Sequence, residues 1–284
     1  MLVTSLEMLK KAQDGGYAVG AFNVENMEMV QAVVAAAEEL NSPVMLQTTS
    51  STLKYASPEM YFANAKAAAE AASVPVCIHL DHGKDFDISM KCLRAGYTSI
   101  MIDGSHEDYE GNIRMTKEVA DVCKAMGIPC EGELGKVGGK EDDVEAEGDA
   151  YTDPLEAKEF VERTGVTSLA VSIGTAHGVY KTTPVLNVER LSEIREVVGV
   201  PLVLHGASGL SDEAVRECIR RGICKVNFAT ELRQAYTKAV QTLLSEKPET
   251  FDPKAYGKLG REAVKELVMN RMKVCGSPGH AGDN

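Results

Sequence analysis

Short runs of apolar, often β-branched residues recur along the chain, each closed by Gly, Pro or polar residues. They are 17–22 (YAVGAF), 43–48 (PVMLQT), 75–81 (PVCIHLD), 98–103 (TSIMID), 129–134 (PCEGEL), 167–173 (TSLAVSI), 201–205 (PLVLH) and 223–227 (ICKVN). Runs of this length and make-up predict strands. Between them the apolar positions switch to helical spacing, over Met27–Leu40, Pro58–Ala72, Asp87–Ala95, Tyr109–Met126, Pro154–Thr164, Val188–Val198 and Asp212–Arg221. Capping residues stand where helices should begin: Ser57 before Pro58, Asp153 before Pro154, Asn187, and Ser211 before Asp212 and Glu213. Their side-chain oxygens can accept from first-turn N–H groups. Residues 4–14 predict a helix ahead of the first strand, and 230–246 and 257–274 predict the last helix and a C-terminal extension.

Strands so nearly continuous in apolar residues belong to parallel sheets covered on both faces. Their starts lie roughly 22 to 38 residues apart, which leaves room for a strand, a crossover helix and two loops. Eight such units predict one α/β domain over 1–284, a (β/α)8 TIM barrel with an N-terminal helix and a C-terminal helical extension. The rival architecture is a doubly wound sheet. It would carry a Gly-rich phosphate fingerprint after its first strand, where this chain has AFNVEN. Segment 135–151 (GKVGGKEDDVEAEGDAY) has no periodicity and is too long for an ordinary connection, which predicts a mobile lid over the barrel mouth.

Composition narrows the function. Asp and Glu number 42 against 30 Lys and Arg, a formal charge of −12, and such a surface repels the phosphates of nucleic acids and anionic lipid headgroups. Neither nucleic acid nor a membrane is an expected partner, and an anionic substrate must be held by a local patch of N–H groups, metal or basic side chains. The 7 cysteines show no CxxC spacing and read as buried free thiols. The N-terminal apolar run is too short for a signal peptide, and no stretch approaches ~18 apolar residues, so a cytoplasmic location is expected.

In a (β/α)8 barrel chemistry sits at the C-terminal ends of the strands. Here the third run ends in Asp81-His82, the fourth in Asp103, the fifth contains Glu133, the sixth leads into His177, the seventh ends in His205 and the eighth in Asn227. His82, His177 and His205 would converge on the mouth as a zinc-type set with a position open for substrate. Asp103 and Glu133 would hold a second metal position or accept from the free ring nitrogens of the histidines. His79 should lie deeper in the barrel on the side of Asp81, His106 in a loop, and His280 in a frayed tail. Asp81 and His82 can both face the mouth only if the chain turns there, which Gly83 permits. Two stretches read as phosphate cradles, Gly206-Ala207-Ser208-Gly209 and Asn227-Phe228-Ala229-Thr230, because loops seven and eight of such barrels present N–H groups at a helix start.

Taken together, AFNVEN (21–26), HLDHGKD (79–85), MIDGSH (101–106), EGELGKVGGKEDD (131–143), IGTAHGVY (173–180), LHGASG (204–209) and KVNFATEL (225–232) make the chain resemble class II, metal-dependent ketose-bisphosphate aldolases. It looks most like their tagatose-1,6-bisphosphate branch. The resemblance implies that His82, His177 and His205 bind Zn2+, with Asp103 and Glu133 as an alternative or second metal site. It implies Asp81 as the acid/base on the C4 hydroxyl and Glu141, in the lid, as the group that moves the proton at C3. Gly178, Gly206, Ala207, Ser208, Asn227, Phe228, Ala229 and Thr230 fall where the family binds the dihydroxyacetone phosphate half, often beside a monovalent cation, Na+ or K+. A homodimer or homotetramer is also implied. Ala229 stands where fructose-bisphosphate members carry a second Asn or an Asp, and QTTSS replaces their QxSxG around Thr49; both departures point to tagatose bisphosphate. Lys254 and Arg261 are candidate ligands for the second phosphate, across an interface, although solvated surface charge is the favoured reading of both.

Splitting the C3–C4 bond of a ketose bisphosphate leaves negative charge on an enediolate, which a dication stabilises electrostatically. No lysine ends an apolar run to serve a Schiff-base mechanism instead. Two other readings of the same residues are a metal-dependent barrel hydrolase and a non-catalytic phosphosugar-binding subunit.

Overall fold

Each apolar run of the sequence becomes a parallel strand of one closed sheet. The computed structural model of the chain describes residues 1–141, 144–146, 151–178, 180 and 184–282, with 138–141 and 144–146 described by backbone alone. In chain order the elements are α1 (Ser5–Gly15), β1 (Val19–Asn23), α2 (Met27–Leu40), β2 (Val44–Thr49), α3 (Ser50–Tyr55), α4 (Pro58–Ala71), β3 (Val76–Gly83), α5 (Phe86–Ala95), β4 (Ser99–Ile102), α6 (Tyr109–Met126) and β5 (Cys130–Leu134). There follow β6 (Gly138–Glu141), β7 (Val144–Ala146), α7 (Pro154–Thr164), β8 (Ser168–Val171), β9 (Ala176–His177), α8 (Val188–Val197), β10 (Leu202–Leu204), α9 (Asp212–Arg220), β11 (Ile223–Phe228), α10 (Thr230–Glu246) and α11 (Pro253–Cys275). The barrel closes in the order β1-β11-β10-β8-β5-β4-β3-β2, so this is a (β/α)8 barrel with the N-terminal helix and C-terminal extension that the periodicity predicts.

Local chemistry sets the helix starts. Ser57, Asp153, Asn187 and Ser211 each accept a first-turn N–H through the side chain, as expected, and so do Asn26, Asp85 and Asp108. The C-terminal helix begins at Pro253 behind the Asp252 cap, four residues before the sequence reading placed it. Gly257 and Gly260 argue against a helix there by propensity, but they are sites of close packing. A methyl on Gly260 would lie 2.5 Å from the Tyr236 ring of α10, and tertiary contact outweighs the propensity cost of about 1 kcal/mol per glycine.

The barrel interior is layered. At the bottom Val19, Ala21, Met45 and Cys77 form an apolar plug closed by Met8, Leu9 and Ala12 of α1. Outside, the second faces of the strands pack on the helices in one continuous core containing Phe22, Leu46, Ile78, Ile100, Phe160, Leu169, Leu204 and Phe228. All seven cysteines are buried and free, as expected. Among the described residues no helix is long and apolar enough to cross a membrane.

One expectation gains detail and one is corrected. Within segment 135–151, of which 142–143 and 147–150 lie outside the described residues, β6 and β7 pair antiparallel, and β6 pairs parallel with β9, making a three-stranded sheet outside the barrel. His280 does not lie in a frayed tail; it sits in a 3-10 turn and stacks on Tyr17, with ring centroids 4.0 Å apart.

Candidate active site

Strand polarity brings the polar run ends to one rim, and the backbone does something unusual there. Asp81 and His82 are adjacent, so a regular strand would point them to opposite faces. The register between β3 and β4 shifts between Leu80 and Gly83, and His82 takes φ +46°, a left-handed conformation rare for a residue with a side chain. The turn is therefore made at His82 itself. Gly83, expected to supply it, is needed for another reason: a Cβ there would lie 2.5 Å from the Met101 carbonyl of the neighbouring strand.

The bulge turns His82 toward the imidazoles of His177 and His205. Ligand atoms of the three lie within 4.8 Å of one another, and His82, Asp103 and Glu133 form a second set within the same distance. His82 Nε2 is 2.8 Å from His205 Nδ1, and the ring centroids are 4.6 Å (82–205), 5.0 Å (82–177) and 5.9 Å (177–205) apart. Carboxylates stand behind two of the rings: Asp103 Oδ2 is 2.7 Å from His82 Nδ1, and Glu131 Oε1 is 3.1 Å from His205 Nε2. Glu133 Oε2 lies 3.4 Å from His205 Nδ1 and 3.9 Å from His82 Nδ1. Imidazole nitrogens converging from three segments, with carboxylates on their far sides, have the chemistry of a divalent-metal donor set.

Electrostatics reinforces this. Burial opposes ionisation of Asp103, but the hydrogen bond and charge of His82 and the donors of Ser105 outweigh it, holding its carboxyl well below the usual range. Burial also lowers the pKa of His205 despite the Glu131 hydrogen bond, so the ring is neutral and available as a ligand at pH 7. His79 is pushed well below the ordinary histidine value by burial and by the Lys225 ammonium. Because His79 and His205 resist protonation when folded but accept it freely when unfolded, the unfolded state binds more protons below about pH 6.5, and acid destabilises the fold. The urea midpoint of the metal-free protein is expected to fall between pH 7.5 and 5.5, by about 1 kcal/mol of stability per histidine. An unchanged midpoint would contradict the buried neutral state of these rings.

Asp81 is held separately. It is 1% exposed, and its two oxygens accept from Asn23 Nδ2 at 2.9 Å and Asn227 Nδ2 at 3.0 Å. Gln47 Nε2 in turn donates to Asn23 Oδ1 at 2.7 Å. The Asp81 carboxylate thus faces the mouth 4.0 Å from His82 Nε2, fixed by amides from β1 and β11. Asn23 and Gln47 did not stand out in the sequence. The signal was there: Asn23 ends the first strand, and it is the register partner of Gln47.

The expected cradle residues fall on neighbouring turns. Gly206 has φ +66°, and a Cβ there would lie 2.6 Å from the Ala176 carbonyl. Tyr180 Oη accepts from Ala176 N and donates to the Gly206 carbonyl, tying the His177 segment to this turn. Ser208 Oγ accepts from Ala229 N at 3.2 Å, joining loops seven and eight, and Thr230 opens α10. Phe228 is fully buried and stacks on Phe22, so it offers a ligand only its backbone. Gly178 follows His177 at φ +88°. The Thr49 hydroxyl accepts from Thr52 N as the cap of α3. Lys254 is paired with Asp252 and Arg261 with Gln31, so both are occupied on the surface of the chain. Glu141 lies in β6, and its side chain is outside the described residues.

Comparison with known proteins supplies a family and a fold. A family model described as class-II fructose-bisphosphate aldolase matches residues 3–280. The YdjI aldolase of Escherichia coli K12 is 41% identical, with a TM-score of 0.89, over 99% of this chain and 100% of that one. A Coccidioides immitis protein provisionally named a fructose-1,6-bisphosphate aldolase is 35% identical, with a TM-score of 0.90, over 99% of this chain and 98% of that one. The fructose-bisphosphate aldolase of Campylobacter jejuni, 22% identical with a TM-score of 0.79 over 98% and 96% of the two chains, shares the fold.

Proposed function

The chain belongs to the class II fructose-bisphosphate aldolase family and is a lyase, and from that premise we propose zinc-dependent, reversible cleavage of a ketose 1,6-bisphosphate to dihydroxyacetone phosphate and glyceraldehyde 3-phosphate. Tagatose 1,6-bisphosphate is the favoured substrate, with the fructose epimer as the alternative. The observation that carries the reading is the meeting of three imidazoles beside a clamped carboxylate at one barrel rim. His82, His177 and His205 would hold the ion, with Asp103 and Glu133 as the alternative or second site. A bound dication supplies electrostatic stabilisation of the negative charge left when the carbon–carbon bond breaks.

The chain's own groups account for the rest. Asp81, its carboxylate immobilised by Asn23 and Asn227, takes the proton of the C4 hydroxyl in the cleavage direction and returns it in condensation. Glu141, carried on the β6–β7 hairpin, moves the proton at C3 of the three-carbon ketone half. The backbone of Gly178, Gly206–Ser208 and Asn227–Thr230, with the Ser208 hydroxyl, receives the phosphate of that half, with Na+ or K+ beside it. The preference for tagatose bisphosphate rests on Ala229 and on QTTSS around Thr49. The reading places the enzyme in the cytoplasm as a homodimer or homotetramer.

The test is metal analysis together with cleavage assays on both bisphosphates before and after exhaustive chelation. Cleavage is expected to disappear with the metal, return with added Zn2+, and show a higher kcat/KM for tagatose bisphosphate. Product formation that survives complete metal removal would sink the zinc mechanism. A higher kcat/KM on the fructose epimer would reverse the substrate assignment, phosphate release without carbon–carbon cleavage would indicate a hydrolase, and tight sugar-phosphate binding without turnover a silent subunit.

A further inference from the structure

Beneath the rim lies a layer of charge that the chemistry above does not use. Lys225 on β11 is wholly buried in the barrel, and its Nζ donates to Glu131 Oε1 at 3.0 Å, Glu131 Oε2 at 2.9 Å and His79 Nε2 at 3.3 Å. These three acceptors match the three protons of an ammonium group. His79 Nδ1 meets Ser99 Oγ at 2.8 Å, and Ser99 meets Ser5 of the helix that plugs the barrel floor. Glu131 Oε2 also accepts from Ser168 Oγ at 3.5 Å, and on the rim side Glu131 Oε1 meets His205 Nε2 at 3.1 Å.

Burying a lysine and a glutamate costs several kcal/mol per ion, and a well-packed apolar pair would often serve the fold as well. The placement of the pair suggests what it is for. A carboxylate whose oxygens both face Lys225 can only accept from His205, so the His205 proton sits on Nε2 and the lone pair on Nδ1. Nδ1 is the atom that faces His82 Nε2. We infer that Lys225 and Glu131 are positioning residues that lock His205 as the Nε2–H tautomer, so that it presents Nδ1 to the metal. His82 is the mirror case: its Nδ1 meets Asp103, leaving Nε2 toward the centre. Two of the three imidazoles therefore bind through different ring nitrogens, each selected by the carboxylate behind it. This inference rests on the metal-dependent reading of the site.

Two measurements test it. In the zinc-loaded parent protein, long-range ¹H–¹⁵N correlation spectra with sequence-specific histidine assignment should show His205 metal-bound at Nδ1 and protonated at Nε2, and His82 the reverse. His205 bound through Nε2 would overturn the inference without any variant. The second measurement is Zn2+ affinity by chelator competition in Glu131→Gln and in the paired apolar replacement Glu131→Leu with Lys225→Met, which leaves no bare charge if the single variant fails to fold. Affinity should drop about 10–100-fold in a variant whose metal-free form still melts cooperatively. If the paired variant folds and keeps parental affinity, the ion pair is only a packing element and the inference fails. Failure of the underlying reading looks different: the parent itself would bind no zinc or would cleave no bisphosphate.

Discussion

Replacing Asp81 by Ala is expected to lower kcat by about 10²–10⁴-fold while zinc stoichiometry and affinity stay at the parental level. The carboxylate belongs to neither three-residue donor set, yet it faces the same space, 4.0 Å from His82 Nε2. Its orientation is imposed by Asn23 and Asn227, which donate to opposite oxygens. Asp81→Asn is not a silent isostere here, because its NH2 group would confront one of those two amide donors and break one bond of the clamp. Both variants should therefore lose turnover, with Asp81→Asn also raising KM through misplacement. Isothermal titration with Zn2+ and steady-state kinetics on the same preparations decide the matter. Loss of zinc in Asp81→Ala would move this residue into the metal site and remove it as the proton carrier.

His205→Ala should fail in the opposite way, losing metal and activity together. The substitution removes one of three converging imidazoles and also deprives Glu131 of its contact on the rim side. Metal-ion catalysis supplies several kcal/mol of charge stabilisation, so kcat/KM is expected to fall at least about 10³-fold. Added zinc should restore little of it. Full zinc occupancy in purified His205→Ala, measured by atomic emission, would contradict the ligand assignment. The two variants together separate proton transfer from metal binding, which neither does alone.

The rim was legible in the sequence because parallel strands in a closed barrel all finish at one end, so polar residues closing apolar runs had to converge. His82, Asp103, Glu133, His205 and Asn227 follow that rule directly. The layer below carries the same signal, which predicts His79 deep in the barrel on the side of Asp81, where it lies fully buried, and which applies equally to Gln47, Glu131 and Lys225. Gln47 precedes Thr49 by two positions, His79 precedes Asp81, Glu131 precedes Glu133 and Lys225 precedes Asn227, which is the strand period that places each pair on one face. The ends of the runs alone do not reveal the buried lysine. Other features had no signal to read. The left-handed backbone at His82 arises from pairing between β3 and β4, and the hairpin at 138–146 depends on a partner, β9, that lies some 30 residues further along the chain. Neither is visible in a local window.

That hairpin changes what the third imidazole is attached to. His82 and His205 stand on or directly after barrel strands, whereas His177 belongs to β9, whose strand partner among the described residues is β6, with Gly139 in register against His177 itself. The segment bearing Glu141 is therefore also the backbone support of one of the three converging histidines. Under the proposed function, any displacement of that segment would carry the His177 backbone with it, so the rate of zinc exchange and the rate of product release should respond together to substitutions in β6.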